Sequence, residues 1–116
     1  MNFTYKQRYS FEERRREAEK MLTKYPDKIP IIVEKAAKSK LRDIQKTKFL
    51  VPADLTVGQF YYLIRRRINL QSTEALFFFV NETVPTSTMT IGRLYQDYHQ
   101  PDLFLYISFA EETPYG

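Results

Sequence analysis

Apolar and polar positions repeat along this chain with two different periods, and each change of period marks a new element. Phe11, Ala18, Met21, Leu22 and Tyr25 recur at helical spacing. Ser10-Phe11-Glu12-Glu13 has capping-box spacing, in which hydroxyl and carboxylate satisfy each other's free backbone amides. The pattern predicts a helix from Phe11, with Glu12 and Glu13 at its positive end and Pro26-Asp27 stopping it. A shorter helical turn over residues 4–7 is allowed, though little in the pattern demands one. Ile29-Pro30-Ile31-Ile32-Val33-Glu34 is a β-branched run of strand length; since proline cannot donate to a ladder, Pro30 is expected at a first position or a sheet edge. A second strand follows at Thr47-Lys48-Phe49-Leu50-Val51, and residues 35–46, polar and without period, read as a long hairpin loop. Thr56-x-x-Gln59 repeats the capping box ahead of Val57, Phe60, Tyr61, Ile64 and Ile68, one stripe of an amphipathic helix.

Leu76-Phe77-Phe78-Phe79-Val80 reads as a compact buried strand with Asn81-Glu82-Thr83 as its turn, core packing being the default for its three rings although one could be exposed as a second docking surface. Ile91, Leu94, Tyr95 and Tyr98 form one stripe of a short helix. Leu103-Phe104-Leu105-Tyr106-Ile107-Ser108-Phe109 is nearly continuous in apolar residues, as in a central strand covered on both faces. Side-chain alternation points Phe104 and Tyr106 away from Leu103, Leu105 and Ile107. The order α, β, β, α, β, α, β predicts an α+β fold with one four-stranded sheet in β-grasp order, and the first helix is additional to it. No repeat or linker divides the 116 residues, and 43% hydrophobic content suits one core rather than two. The division expected is a helical extension over residues 1–25 and a β-grasp over residues 26–116, folded as one unit.

Charge is uneven: residues 1–25 sum to +3, residues 28–51 to +5, and the last sixteen, with Asp102, Glu111 and Glu112, to −3. A basic first half favours acidic partners through encounter rate, although a solvated mixed-charge surface has the same composition. Without cysteine there is no thiolate nucleophile and no Cys-ligated metal. The start of the chain lacks the apolar region of a signal peptide and no stretch suits a membrane span, so membrane association is expected to be peripheral or through covalent lipid. His99 is the only histidine and reads as an exposed cation at a helix end. Three glycines cannot supply a phosphate cradle. No catalytic or metal-ligating set can be assembled, and no cofactor is expected.

Binding is the richer reading. The extra N-terminal helix would leave a cleft beside the strand at Lys48, and Met21, Pro30, Leu50, Leu55 and Leu63 could line it with Lys46, Lys48 and Arg67 at the rim. Each of the apolar groups could equally pack inward. A strand edge beside apolar pockets suits β-augmentation by an incoming peptide.

Lys24-Tyr25-Pro26-Asp27-Lys28-Ile29-Pro30, Ile32-Val33-Glu34-Lys35-Ala36, Phe49-Leu50-Val51-Pro52-Ala53-Asp54-Leu55-Thr56-Val57-Gly58-Gln59-Phe60, Ile64-Arg65-Arg66-Arg67-Ile68, Ala75-Leu76-Phe77-Phe78-Phe79-Val80-Asn81 and Phe104-Leu105-Tyr106 closely resemble the autophagy ubiquitin-like modifiers. The GABARAP branch looks nearest. The resemblance implies a ubiquitin-like β-grasp with two N-terminal helices, in the cytoplasm or joined through Gly116 to phosphatidylethanolamine on autophagosomal membranes. It also implies docking of cargo receptors and adaptors through an aromatic-x-x-aliphatic motif. By position, the pocket for the aromatic residue would comprise Glu17, Met21, Pro30, Ile32, Lys48, Leu50 and Phe104. The aliphatic pocket would comprise Phe49, Val51, Pro52, Leu55, Phe60, Leu63 and Arg67. A processing cysteine protease and activating and conjugating enzymes would act on Gly116, so the chemistry is theirs.

Met21 replaces a branched aliphatic residue usual in that family, which makes the aromatic pocket more adaptable. Phe49 stands where tyrosine is frequent, and Ala18 where glycine or serine is. Pro114 stiffens a tail that must thread enzyme active sites, so altered processing kinetics are expected. Cleavage of a Pro114→Val precursor checks this, and equal rates would refute it. Two other readings remain at this stage. Arg14-Arg15-Arg16 could meet acidic surfaces such as tubulin tails. Lys35, Lys38, Lys40, Arg42, Lys46 and Lys48 could meet nucleic acid, although they lie on a loop without a stacking motif.

Overall fold

The structure is a computed structural model that describes residues 2–112. Gly116 and Pro114, to which the conjugation and processing expectations attach, lie outside the described residues. The elements follow in the order α1 (Thr4–Arg8), α2 (Phe11–Lys24), β1 (Lys28–Lys35), β2 (Lys48–Pro52), α3 (Val57–Arg67), β3 (Phe77–Phe79), α4 (Ile91–Tyr98) and β4 (Leu105–Ala110). The sheet runs β2-β1-β4-β3, with β1 and β4 parallel and both outer pairs antiparallel. This is the β-grasp expected from the element order.

Both capping boxes form. Ser10 Oγ accepts from Glu13 N at 3.2 Å, and Thr56 Oγ1 from Gln59 N at 3.1 Å. Each glutamate or glutamine returns its side-chain oxygen to the cap amide. Alternation then divides the core. Ile29, Ile31, Val33, Phe49, Val51, Leu105, Ile107 and Phe109 face α3 and α4, meeting Phe60, Ile64, Ile91 and Leu94. Ile32, Phe104 and Tyr106 face the other way, under Phe3, Tyr5 and Ala18 of the N-terminal helices.

Several local expectations are corrected. Pro30 is neither first in its strand nor on an edge strand: it is the third residue of β1, which lies inside the sheet. Val33 N donates to Thr47 O and Ala36 N to Phe109 O, so amides alternate between the two neighbours. Pro30's missing donor therefore faces β4, whose pairing begins one residue later at Ile31↔Leu105. The last strand starts at Leu105 rather than Leu103, because Leu103 adopts a left-handed φ of 71°. That twist breaks the alternation, and Leu103 packs with the Phe104 cluster instead of opposite it. The 35–46 loop is not wholly polar: Ile44 is buried in the main core and Leu41 packs against it. The turn over residues 4–7 is a true helix extended to Arg8. Its first two amides, Thr4 N and Tyr5 N, donate to the buried Glu34 carboxylate at 2.7 and 2.9 Å, a cap supplied from β1.

Candidate functional site

β2 is an edge strand. By the alternation just described, Phe49 and Val51 direct their backbone groups to β1, while Lys48 and Leu50 direct theirs to the open edge. Edge strands are normally shielded because their free amides and carbonyls template pairing. Here the open edge separates the two sheet faces on which the aromatic and aliphatic pockets are expected.

On the face of α2, the pairs Pro30↔Leu50 and Ile32↔Lys48 align four of the expected aromatic-pocket residues. Glu17 and Met21 approach from α2, and Phe104 lies beneath. Ile32 and Phe104 are fully buried, so they form the floor; Met21 and Leu50 are half-buried and form the accessible walls. Glu17 and Lys48 close the mouth with an ion pair at 3.2 Å. Both partners are more than a third exposed, so the pair contributes little and opens at small cost. An opening of about 530 Å³ lies between α1 and the hairpin loop beside Lys48, with Arg8, Glu34 and Lys35 in its lining.

The expected aliphatic pocket is more closed. Phe49, Val51 and Phe60 belong to the main core, and Phe60 is wholly buried. Leu55 is half-buried, while Pro52, Leu63 and Arg67 are exposed. Lys46 Nζ and Arg67 Cζ stand over the Phe49 ring at 5.1 and 5.4 Å. These cation–π contacts place two positive groups at the rim, where they can draw in an acidic segment.

Other basic groups turn out to be engaged. Arg14 faces inward to Asp102, and Arg15 binds Glu19 and the Pro101 carbonyl, so the three consecutive arginines do not form one free face. Arg42 donates to the carbonyls of Ile68 and Asn69 and pairs with Glu74, satisfying the end of α3. His99 stacks on Tyr95 with its Nδ1 at the Tyr95 carbonyl. Phe77, expected within a buried strand, is instead 44% exposed, and Tyr62 and Val84 share its apolar surface. Among the described residues no His, Cys, Asp and Glu group could hold a metal, and no helix is long and apolar enough to cross a membrane.

Sequence reading missed the buried polar groups behind the aromatic pocket. Asp102, 1% exposed, accepts from Arg14 Nε at 2.9 Å and Phe104 N at 3.0 Å, and from the Tyr106 hydroxyl. Burial, then the Asp102 hydrogen bond, pushes the Tyr106 phenol far above its ordinary range. Burial and nearby Glu17 push Tyr5 up to about 12. Lys6, desolvated above the Tyr106 ring, is held below the usual lysine value. Contacts across 88 positions have no local signal, so nothing in the sequence pattern points to these links.

Comparisons with known proteins agree with this fold. Residues 13–116 match the family model for the autophagy protein Atg8, ubiquitin-like. The crystal structure of Trypanosoma brucei ATG8 superposes with a TM-score of 0.92 at 39% identity, over all of both chains. Plasmodium falciparum Atg8, solved in complex with a Plasmodium falciparum Atg3 peptide, superposes at 0.89 with 34% identity, over 97% of this chain and 98% of that one. The chain, a four-stranded β-grasp with helices packed over both faces of its sheet, therefore belongs to the Atg8 family of ubiquitin-like autophagy proteins.

Proposed function

We propose that this protein is a modifier joined through Gly116 to phosphatidylethanolamine on autophagosomal membranes, where it recruits partners carrying aromatic-x-x-aliphatic motifs. The observation that carries this reading is the open edge of β2, flanked by half-buried Met21 and Leu50 on the α2 face and by the Phe49 region on the other. An incoming strand would pair with the outward backbone of Lys48 and Leu50. Its aromatic side chain would displace the Glu17–Lys48 pair and settle on Ile32 and Phe104. Its aliphatic side chain would meet Leu55 and Leu63 and require Lys46 and Arg67 to swing outward. The complex of the Plasmodium relative with an Atg3 peptide supports peptide binding as a property to test. The unconjugated form would be cytoplasmic. A cysteine protease and activating and conjugating enzymes would act on the tail.

Two anchors worth roughly 2–3 kcal/mol each, with strand hydrogen bonds and less the cost of ordering the peptide, give affinity on the order of micromolar. Leu50→Ala removes a half-buried wall from the edge strand and is expected to weaken binding by about tenfold or more while the protein stays folded. Calorimetric titration with a motif peptide checks both points, and unchanged affinity in the folded variant rejects the pocket assignment. The tubulin-tail alternative loses support because Arg14 turns inward to Asp102 and the exposed Arg15 is engaged by Glu19 and the Pro101 carbonyl.

A further inference from the structure

The aromatic pocket is assembled from two separate pieces, and its width is the gap between α2 and the sheet. α2 has little apolar surface to set that gap: Ala18 is its only buried residue, and Met21 adds a half-buried contact. Its other ties are polar: the exposed Glu17–Lys48 pair reaches β2, and those of Arg14 and Arg15 converge on the turn ahead of β4 or on the α1–α2 turn. Arg14 Nε donates to Asp102 Oδ2, and Arg15 Nη1 donates to the Pro101 carbonyl at 2.8 Å. Arg14 Nη1 also donates to the Tyr9 carbonyl at 2.7 Å, fixing the turn between α1 and α2. Asp102 Oδ1 meanwhile accepts from the backbone amide of Phe104, and Oδ2 from the Tyr106 hydroxyl.

One buried carboxylate thus joins the helix that carries Glu17 and Met21 to the residue that floors the same pocket. A buried ion pair of this kind adds little net stability over an apolar replacement, because desolvation cancels most of the attraction. It does impose a distance and an orientation, which sliding apolar surfaces do not. We propose that Asp102 is a positioning residue of the aromatic pocket, holding α2 and Phe104 at the spacing that admits an aromatic side chain. This rests on the peptide-binding reading above. The aliphatic hollow lies on the opposite face and shares no residue with the Asp102 network, so the effect is confined to one anchor.

The test compares two peptides, one with the motif and one with its aromatic residue replaced by alanine, titrated by NMR against wild type and Asp102→Asn. The ratio of the two affinities measures what the aromatic anchor contributes. Asp102→Asn is expected to reduce that ratio about tenfold, leaving the alanine peptide's affinity within about twofold. Arg14→Gln combined with Asp102→Asn rebuilds a neutral link and is expected to recover most of the ratio. Tyr106→Phe, which keeps the Arg14–Asp102 pair, serves if Asp102→Asn does not fold; its expected loss is about threefold. Equal weakening of both peptides, an unchanged ratio, or a double variant worse than the single one overturns the proposal. A wild type that gains nothing from the aromatic residue overturns the peptide-binding reading itself, and the positioning role with it.

Discussion

Phe60→Ala is expected to destabilise this protein strongly rather than to report on a pocket. The Phe60 side chain is wholly buried, packed between Phe49 and Phe78 at centroid distances of 5.7 and 5.8 Å. Truncating such a ring removes its transfer free energy and leaves a cavity, at a cost of about 3–5 kcal/mol. Against a typical total of roughly 5–15 kcal/mol, that loss takes a large share of the stability. The midpoint of thermal unfolding should fall on the order of 15 °C. Leu63→Ala, one helical turn away and 36% exposed, should shift it far less. Thermal melts of the two variants followed by circular dichroism check the contrast. A small shift for Phe60→Ala would mean that the ring is accessible, and would return it to the pocket surface that the family resemblance assigns it.

Gly116→Ala is expected to cost at least on the order of 100-fold in the rate of conjugation, the scale on which misplacing a reacting centre acts. The reason is local. In the proposed conjugation the terminal carboxylate, once activated by the activating enzyme, would be attacked by a thiolate that displaces the activating group and then by a lipid amine that displaces the thiolate, and a methyl group on the adjacent carbon would crowd both approaches. The same variant should bind motif peptide with wild-type affinity, because every expected groove residue lies between Glu17 and Phe104. A reconstituted conjugation reaction followed by gel shift, with a peptide titration beside it, separates the two functions. Normal conjugation of the variant would remove the tail assignment while leaving the groove untouched.

The elements were legible because their signals are local. A capping box spans four residues, a helical stripe about a dozen, and strand alternation only two, so the order of helices and strands could be read without any long-range contact. The groove residues were legible in a different way, through resemblance; spacing alone left Met21, Pro30, Leu50, Leu55 and Leu63 free to pack inward. Three features had no local signal. Pro30 looks like an edge residue until β4 is seen to begin one position too late to need its amide. Leu103 looks like the first residue of a strand until its backbone turns left-handed. Asp102 looks like one acid in an acidic terminal stretch, yet it is nearly inaccessible and bonded to Arg14, 88 residues earlier.

By itself the sequence determined the periods, the caps, the element order and the absence of any cysteine chemistry, all of which depend on neighbours a few positions away. Only the tertiary structure decided which strand keeps an open edge, which rings floor a pocket and which are locked in the core, and which charges are spent inside the molecule. Those outcomes depend on the pairing of segments distant in the chain, where burial and a shared carboxylate set the geometry and local pattern carries no information about it.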